Sequence, residues 1–337
     1  MTSSGTIDPP VATGPTSSAA GATGAPAVAT MPLECDVAST DESVPARLTA
    51  GNRTRQNAAT RKPKAVPITL EQIVEHKRRE VDEAKATTPL DDLKEKIEEL
   101  GRPRNLFGAV TRRPNGNTTS VIAEVKRKSP SAGWIRPEYE HDFDPVAIAK
   151  QYHANGAAAI SCLTDEPFFG GDLDYIHAIR DAVPLPVLRK DFIIDPWQIW
   201  QSRAAGADAI LLIAECLQES QIIDMLILAR QLQLTTLVEV HDMDNLLRVR
   251  PHIGFPSRSY CLLGINNRDL TTMTTDINHS MRLVDLVDDP SVLVTESGIK
   301  TSDDLAKLRR VDINIALVGE SLMREDQPGE ALKKLIG

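Results

Sequence analysis

No run of about eighteen consecutive apolar residues occurs anywhere in the 337-residue chain, which excludes a membrane-spanning helix of ordinary length. Basic residues are in deficit, 38 Lys and Arg against 47 Asp and Glu. The resulting net charge of -9 argues against a nucleic-acid partner, which would need a basic face. Cysteines are few and scattered: Cys35, Cys162, Cys216 and Cys261 form no CxxC pair, and three sit in apolar, strand-like runs. Buried free thiols are expected rather than disulfides or metal ligands. Also missing are HExxH, a GxSxG nucleophile elbow and the glycine-rich Walker and dinucleotide fingerprints. These absences leave a chain expected to be soluble and cytoplasmic, with no resident metal and no membrane or nucleic-acid partner.

Aromatic and branched apolar residues in periodic order are almost absent from residues 1–65, a stretch rich in Ala, Thr, Ser, Pro and Gly. Such a segment cannot bury enough surface to offset the entropy of folding, so a disordered leader is expected. The alternative is a plastid transit peptide. Asp8, Glu34, Asp36, Asp41 and Glu42 weaken that reading, and the Arg-rich amphipathic helix it calls for is missing.

Residues 66–337 form the expected folded domain. It opens with ITLEQIVEHKRREVDEAKATTPLDDLKEKIEEL (68–100), where apolar residues fall at helical spacing among opposite charges at i, i+4. Two helices are predicted, broken at Thr88 and Pro89. The run Lys77, Arg78, Arg79 is expected on a solvated helix face. After Val121 eight short apolar runs alternate with amphipathic stretches: VIAEVKR, AAISCLTD, PVLRKDFI, AILLIAE, TLVEVHD, CLLGINNRD, VLVTES and ALVGESLM. Eight such units predict an α/β fold, a closed parallel (β/α)8 or TIM barrel, with the two helices as an amino-terminal extension. Gly156 and Gly206 stand where a helix C′ glycine is expected.

The first strand contains a conflict: Glu124 and Lys126 interrupt an apolar run. A charge loses several kcal/mol of hydration on burial unless partners replace it, so the pair suggests a polar site at a strand end, both residues on one face. Similar polar residues close the other strands: Thr164, Asp165, Lys190, Glu215, Glu239, Asn266, Arg268, Glu296, Ser297 and Glu320. Parallel closure gathers them round one mouth, where barrel enzymes place their sites. The turns Glu296-Ser297-Gly298 and Gly319-Glu320-Ser321 suit phosphate through exposed backbone N–H groups. Glu239 and His241 share a strand face and offer a rival metal reading, but no third ligand has diagnostic spacing.

The runs AEVKRKSPS (123–131), LTD..FFGG (163–171), LRKDFI (188–193), EVHD (239–242), GINNRDL (264–270), TESGI (295–299) and LVGESLM (317–323) resemble the signature segments of indole-3-glycerol-phosphate synthases. Order and spacing agree over about residues 68–337. The resemblance implies cyclisation of 1-(2-carboxyphenylamino)-1-deoxyribulose 5-phosphate with loss of CO2 and water, without a cofactor, in tryptophan biosynthesis. It implies Lys190 as principal acid, Lys126 as second lysine, and Glu124 and Glu239 as charge-stabilising or basic carboxylates. Asn266 and Arg268 would face the anthranilate carboxylate, and Ser129 with Pro130 a loop that closes on the substrate. Phe169 and Phe192 would wall the aromatic ring. Phosphate contacts fall on Ser297, Gly298, Gly319 and Glu320, although a carboxylate at position 320 departs from the small residue common in the family. Association with other enzymes of the pathway is a further expectation. The rival functions are a phosphoribosyl-sugar isomerase and a degenerate barrel that binds phosphate without catalysis.

Overall fold

The computed structural model describes residues 68–112, 118–269, 272 and 274–337. The expected leader and Cys35 lie outside them. Eight parallel strands close a barrel in chain order: β1 Ser120–Val125, β2 Ala159–Leu163, β3 Val187–Lys190, β4 Ala209–Ile213, β5 Thr235–Val240, β6 Cys261–Asn266, β7 Leu293–Glu296 and β8 Ile315–Val318. β8 pairs back onto β1, with Ala123 opposite Val318. The strands stop short of the apolar runs that predicted them. Lys126, Thr164, Asp165, Arg268 and Ser297 therefore lie in loops, Glu215 in a 3-10 turn and Glu320 at the start of a short helix, because the hydrogen-bond ladder ends where the chain turns away from the barrel.

Helices follow for local reasons. Asp144 and Asp195 cap the helices Pro145–Ala154 and Pro196–Ala204 by accepting first-turn N–H groups, and each has Pro at the first position, where no N–H is needed. Gly156 (φ 92°) and Gly206 (φ 89°) terminate these same helices in the left-handed region expected of them.

Strand alternation sorts the core into two layers. Val121, Ala123 and Val125 face outward into the strand–helix layer, while Ile122 faces the barrel interior with Leu188, Leu237 and Val294. Two cysteines, Cys162 and Cys261, are buried free thiols, and Cys216 is free and partly buried.

Two helices, α1 Leu70–Thr87 and α2 Leu90–Glu99, break at Thr88 and Pro89 as predicted. A third, α3 Leu106–Thr111, places Leu106 and Val110 among the interior residues at the amino ends of the strands. The extension thus runs from mouth to floor. Along α1 the buried face is Ile73, Val74, Lys77 and Val81.

Lys77 corrects the sequence reading. Arg78 and Arg79 are exposed as expected, but Lys77 is fully buried. Its Nζ lies 3.0 Å from Asp165 Oδ2, 3.0 Å from Asp191 Oδ1 and 2.9 Å from Glu80 Oε2. A one-turn stripe places Lys77 on the apolar face of α1, and buried carboxylates from two barrel loops supply what water would otherwise supply. Burial opposes its charge, yet Asp191, Asp165 and Glu80 more than offset this and raise its pKa.

Candidate active site

Alternation along the odd-numbered strands brings one side chain from each to the same level at the mouth: Glu124 from β1, Lys190 from β3, Glu239 from β5 and Glu296 from β7. Beneath them lie Ile122, Leu188, Leu237 and Val294, so the layer rests on an apolar floor. Even strands make room for it. A Cβ on Gly264 of β6 would strike the Glu296 carboxylate, and one on Gly319 after β8 would strike that of Glu124.

Lys190 Nζ lies 2.6 Å from Glu239 Oε2 and 3.2 Å from Glu296 Oε2. Burial works against its charge, but Glu239, Glu296 and Glu124 more than compensate and raise the ammonium pKa. The two carboxyl groups diverge. Burial pushes Glu296 well upward and the neighbouring Glu239 charge pushes it further, against the pull of Lys190. For Glu239 burial is outweighed by Lys190 and His241, which hold it ionised well below the usual range. The two carboxyl groups beside the single ammonium are thus driven in opposite directions, Glu296 toward its protonated form and Glu239 toward its ionised one.

Asn266 Nδ2 donates to Glu239 Oε1 across 3.3 Å. His241 sets Nε2 3.4 Å from Glu239 Oε1 and Nδ1 3.2 Å from Glu215 Oε2. Glu124 and Lys126 form the close ion pair their spacing suggests. Among the described residues no group of three or more His, Cys, Asp or Glu is placed to hold a metal ion.

Glu124, Lys126, Lys190, Glu239, His241, Asn266 and Glu296 line a cavity of about 760 Å³ together with Ser129, Pro130, Phe169, Phe192, Arg268, Ser297, Gly298, Gly319 and Glu320. Every site residue that the family resemblance implies thus borders one space, whereas the strand-end residues Thr164, Asp165 and Glu215 lie outside its wall. Ser129 is buried on a short hairpin, Lys128–Ser129 with Gly133–Trp134, and its hydroxyl accepts the Ala132 N–H at 3.2 Å. Phe169 and Phe192 pack tilted by 41° with centroids 6.0 Å apart. Asn267, next to Asn266, faces the other way and is buried. Its Nδ2 donates to Thr295 Oγ1 at 3.0 Å and to the Ser297 carbonyl at 3.1 Å. That bond helps hold Ser297 at φ 66° beside Gly298 at 82°, a left-handed pair that costs energy at the serine.

The sequence places Glu296 among the polar strand ends and in a phosphate-suited turn without singling it out for catalysis, and offers His241 only as a metal candidate. Both lie in the wall, as do Ser131 and Arg324. Glu296 carries the signal that would have singled it out: like Glu239, it is a carboxylate ending an apolar strand.

A family model described as indole-3-glycerol phosphate synthase matches residues 70–335. Among curated proteins of that same description, the one from Acidithiobacillus ferrooxidans is 45% identical over 79% of this chain and 97% of its own. That from Rhodopirellula baltica is 46% identical over 79% and 98%, and that from Rhodospirillum rubrum 41% over 80% and 98%. A crystal structure of 3-hexulose-6-phosphate synthase superposes with a TM-score of 0.50 at 15% identity, covering 64% of this chain and 97% of that one. It shares the fold alone.

Proposed function

The chain belongs to the indole-3-glycerol phosphate synthase family, and from that premise we propose how its side chains divide the work. The reaction is the family's: a phosphorylated substrate, 1-(2-carboxyphenylamino)-1-deoxyribulose 5-phosphate, is cyclised with loss of CO2 and water in tryptophan biosynthesis. The enzyme is a decarboxylating lyase.

Ring closure forms a carbon–carbon bond between the aromatic ring and the substrate carbonyl, whose oxygen gains negative charge and needs a proton. Lys190 donates it, since Glu239, Glu296 and Glu124 keep its ammonium loaded. CO2 then leaves with the ring carbon it was attached to retaining the electron pair. Dehydration next needs a proton on the departing hydroxyl and a base for the remaining proton that restores aromaticity. Glu296, carrying a proton 3.2 Å from Lys190, recharges the amine, and ionised Glu239 is the base. Lys126, paired with Glu124, supplies positive charge on the opposite side. Arg268 and Asn266 receive the anthranilate carboxylate, to which a guanidinium can give two parallel hydrogen bonds. Phe169 and Phe192 flank the ring. The Ser297–Gly298 and Gly319–Glu320 turns take the phosphate, and Ser129 with Pro130 covers it.

The observation that carries this assignment is the Lys190 ammonium held between Glu239 and Glu296 in one layer at the mouth. Purified protein mixed with the substrate should generate indole fluorescence and stoichiometric CO2. A folded protein that does neither overturns the assignment. A domain boundary near residue 65, a cytoplasmic location and association with neighbouring pathway enzymes belong to the same proposal. The bacterial relatives support the second, and recovery of the chain in plastids would overturn it. The third rests on the family resemblance, and independent elution of the purified enzymes on mixing would count against it.

A further inference from the structure

At the mouth three cationic side chains from different elements, Lys126, Arg268 and Arg324, surround one carboxylate, Glu320. Glu320 Oε2 lies 3.3 Å from Arg268 Nη2, while Oε1 accepts from Arg324 Nη2 at 2.7 Å and Nε at 3.1 Å. The contact to Arg324 spans one helical turn and alone would be an ordinary surface pair. Arg268 is different. It arrives from the loop after β6, reaches Ser131 Oγ at 3.3 Å, and shares the cavity wall with Ser297, Gly298 and Gly319. The carboxylate therefore occupies donors that face the space assigned to phosphate.

We propose that Glu320 is an internal competitor for the anionic groups of the substrate: it holds Arg268 and Arg324, and must yield Arg324 to the phosphate group and Arg268 to the anthranilate carboxylate. This rests on the phosphate assignment above and deepens it, making Glu320 the residue that sets how tightly the site takes a phosphate. A phosphate dianion entering the Gly298 and Gly319 turns meets a negative side chain already paired with the Arg324 guanidinium. Binding then costs both the repulsion and the broken pairs. The exchange is mechanically simple, because Glu320 and Arg324 keep about a third and half of their side-chain surface in solvent. Part of the binding energy of the phosphate is thereby consumed in displacing the carboxylate. Tight, unproductive capture of free phosphate is suppressed.

The sign of the effect is the test, since damage to a structural clamp weakens binding whereas removal of a competitor strengthens it. Full-length parent, E320Q and E320D are titrated calorimetrically with inorganic phosphate and with glycerol 3-phosphate, and the KM and kcat of each are measured with the substrate. E320Q should bind both probes about five- to tenfold more tightly and lower KM comparably, whereas E320D, which keeps the charge, should bind them no more tightly than the parent. A gain confined to glycerol 3-phosphate would place the competition at the ester rather than at the free anion. Unchanged or weaker binding by a folded E320Q, checked by circular dichroism, overturns the proposal. Should E320Q fail to fold, E320S must show the same gain for the inference to stand. A parent that binds phosphate without turning over substrate would sink the catalytic assignment and leave Glu320 to the titration. Normal turnover with E320Q indistinguishable from the parent would do the reverse.

Discussion

Lys190 holds its charge in a water-poor layer because three carboxyl groups surround it, and that environment ties its role to its neighbours. Lys190→Ala should lower kcat by at least about a thousandfold while substrate still binds, the scale of a lost general acid. Single-turnover fluorescence with equilibrium binding checks this, and near-normal turnover would remove Lys190 from the acid role. Glu296 makes a sharper case. Its raised pKa means the folded protein keeps a proton that the unfolded chain releases near pH 4.3. Its contribution to stability is full below that value and is lost as pH rises through the native pKa. Glu296→Gln, neutral at every pH, should therefore match or exceed the parent in Tm at pH 7 while losing about a hundredfold in kcat. A variant equally active, or clearly less stable, would contradict the proton-reservoir role. Much of this site was legible in sequence because a charge inside an apolar run is conspicuous, as at Glu124 and Lys126. Glu296 stands among the strand-end polar residues, but the serine and glycine that follow it point to a turn rather than to an acid-base role.

Elements were legible where periodicity is local. Thr88 and Pro89 marked the break between α1 and α2, and Gly156 and Gly206 the ends of two barrel helices. Lys77 was misread because no feature of α1 announces Asp165 and Asp191, which reach it only through the closure of β2 and β3. Lys77→Met should cost about 3–5 kcal/mol by stranding both carboxylates. It should also change acid unfolding. Burial raises the Asp191 pKa, but Arg189 and Lys77 more than reverse this and depress it, so its contribution is complete above about pH 3.9 and fades as pH falls through the native value. Without Lys77 the native value is less depressed, so a smaller contribution is lost over a narrower range that ends at higher pH, and in the already destabilised variant the acid midpoint followed by circular dichroism should move upward. An unmoved midpoint would mean that Arg189 alone holds Asp191.

For the whole molecule the eight-unit alternation was sufficient to give the closed barrel, since repeated strand and helix of matched length leave few ways to bury both layers. The family match begins at residue 70 and the unit holding the described residues begins at Pro63. A chain starting near residue 65 should keep kcat and KM within about twofold of the full chain, the range within which changes remote from a site usually fall. Steady-state kinetics on the two proteins decides it, and lost activity would give residues 1–65 a part in catalysis.

The clamp at Lys77 also imposes an order in time. Helix α1 leaves the ribosome before the eight barrel strands, yet two of the carboxylates that neutralise its lysine are made much later, on the loops after β2 and β3. Until those loops exist, burying that face of α1 would strand an ammonium in apolar surroundings. Helix α1 is thus expected to dock only once β3 has formed, over a barrel that already carries Lys190. Pulsed hydrogen exchange during refolding should find α1 protected no earlier than β2 and β3.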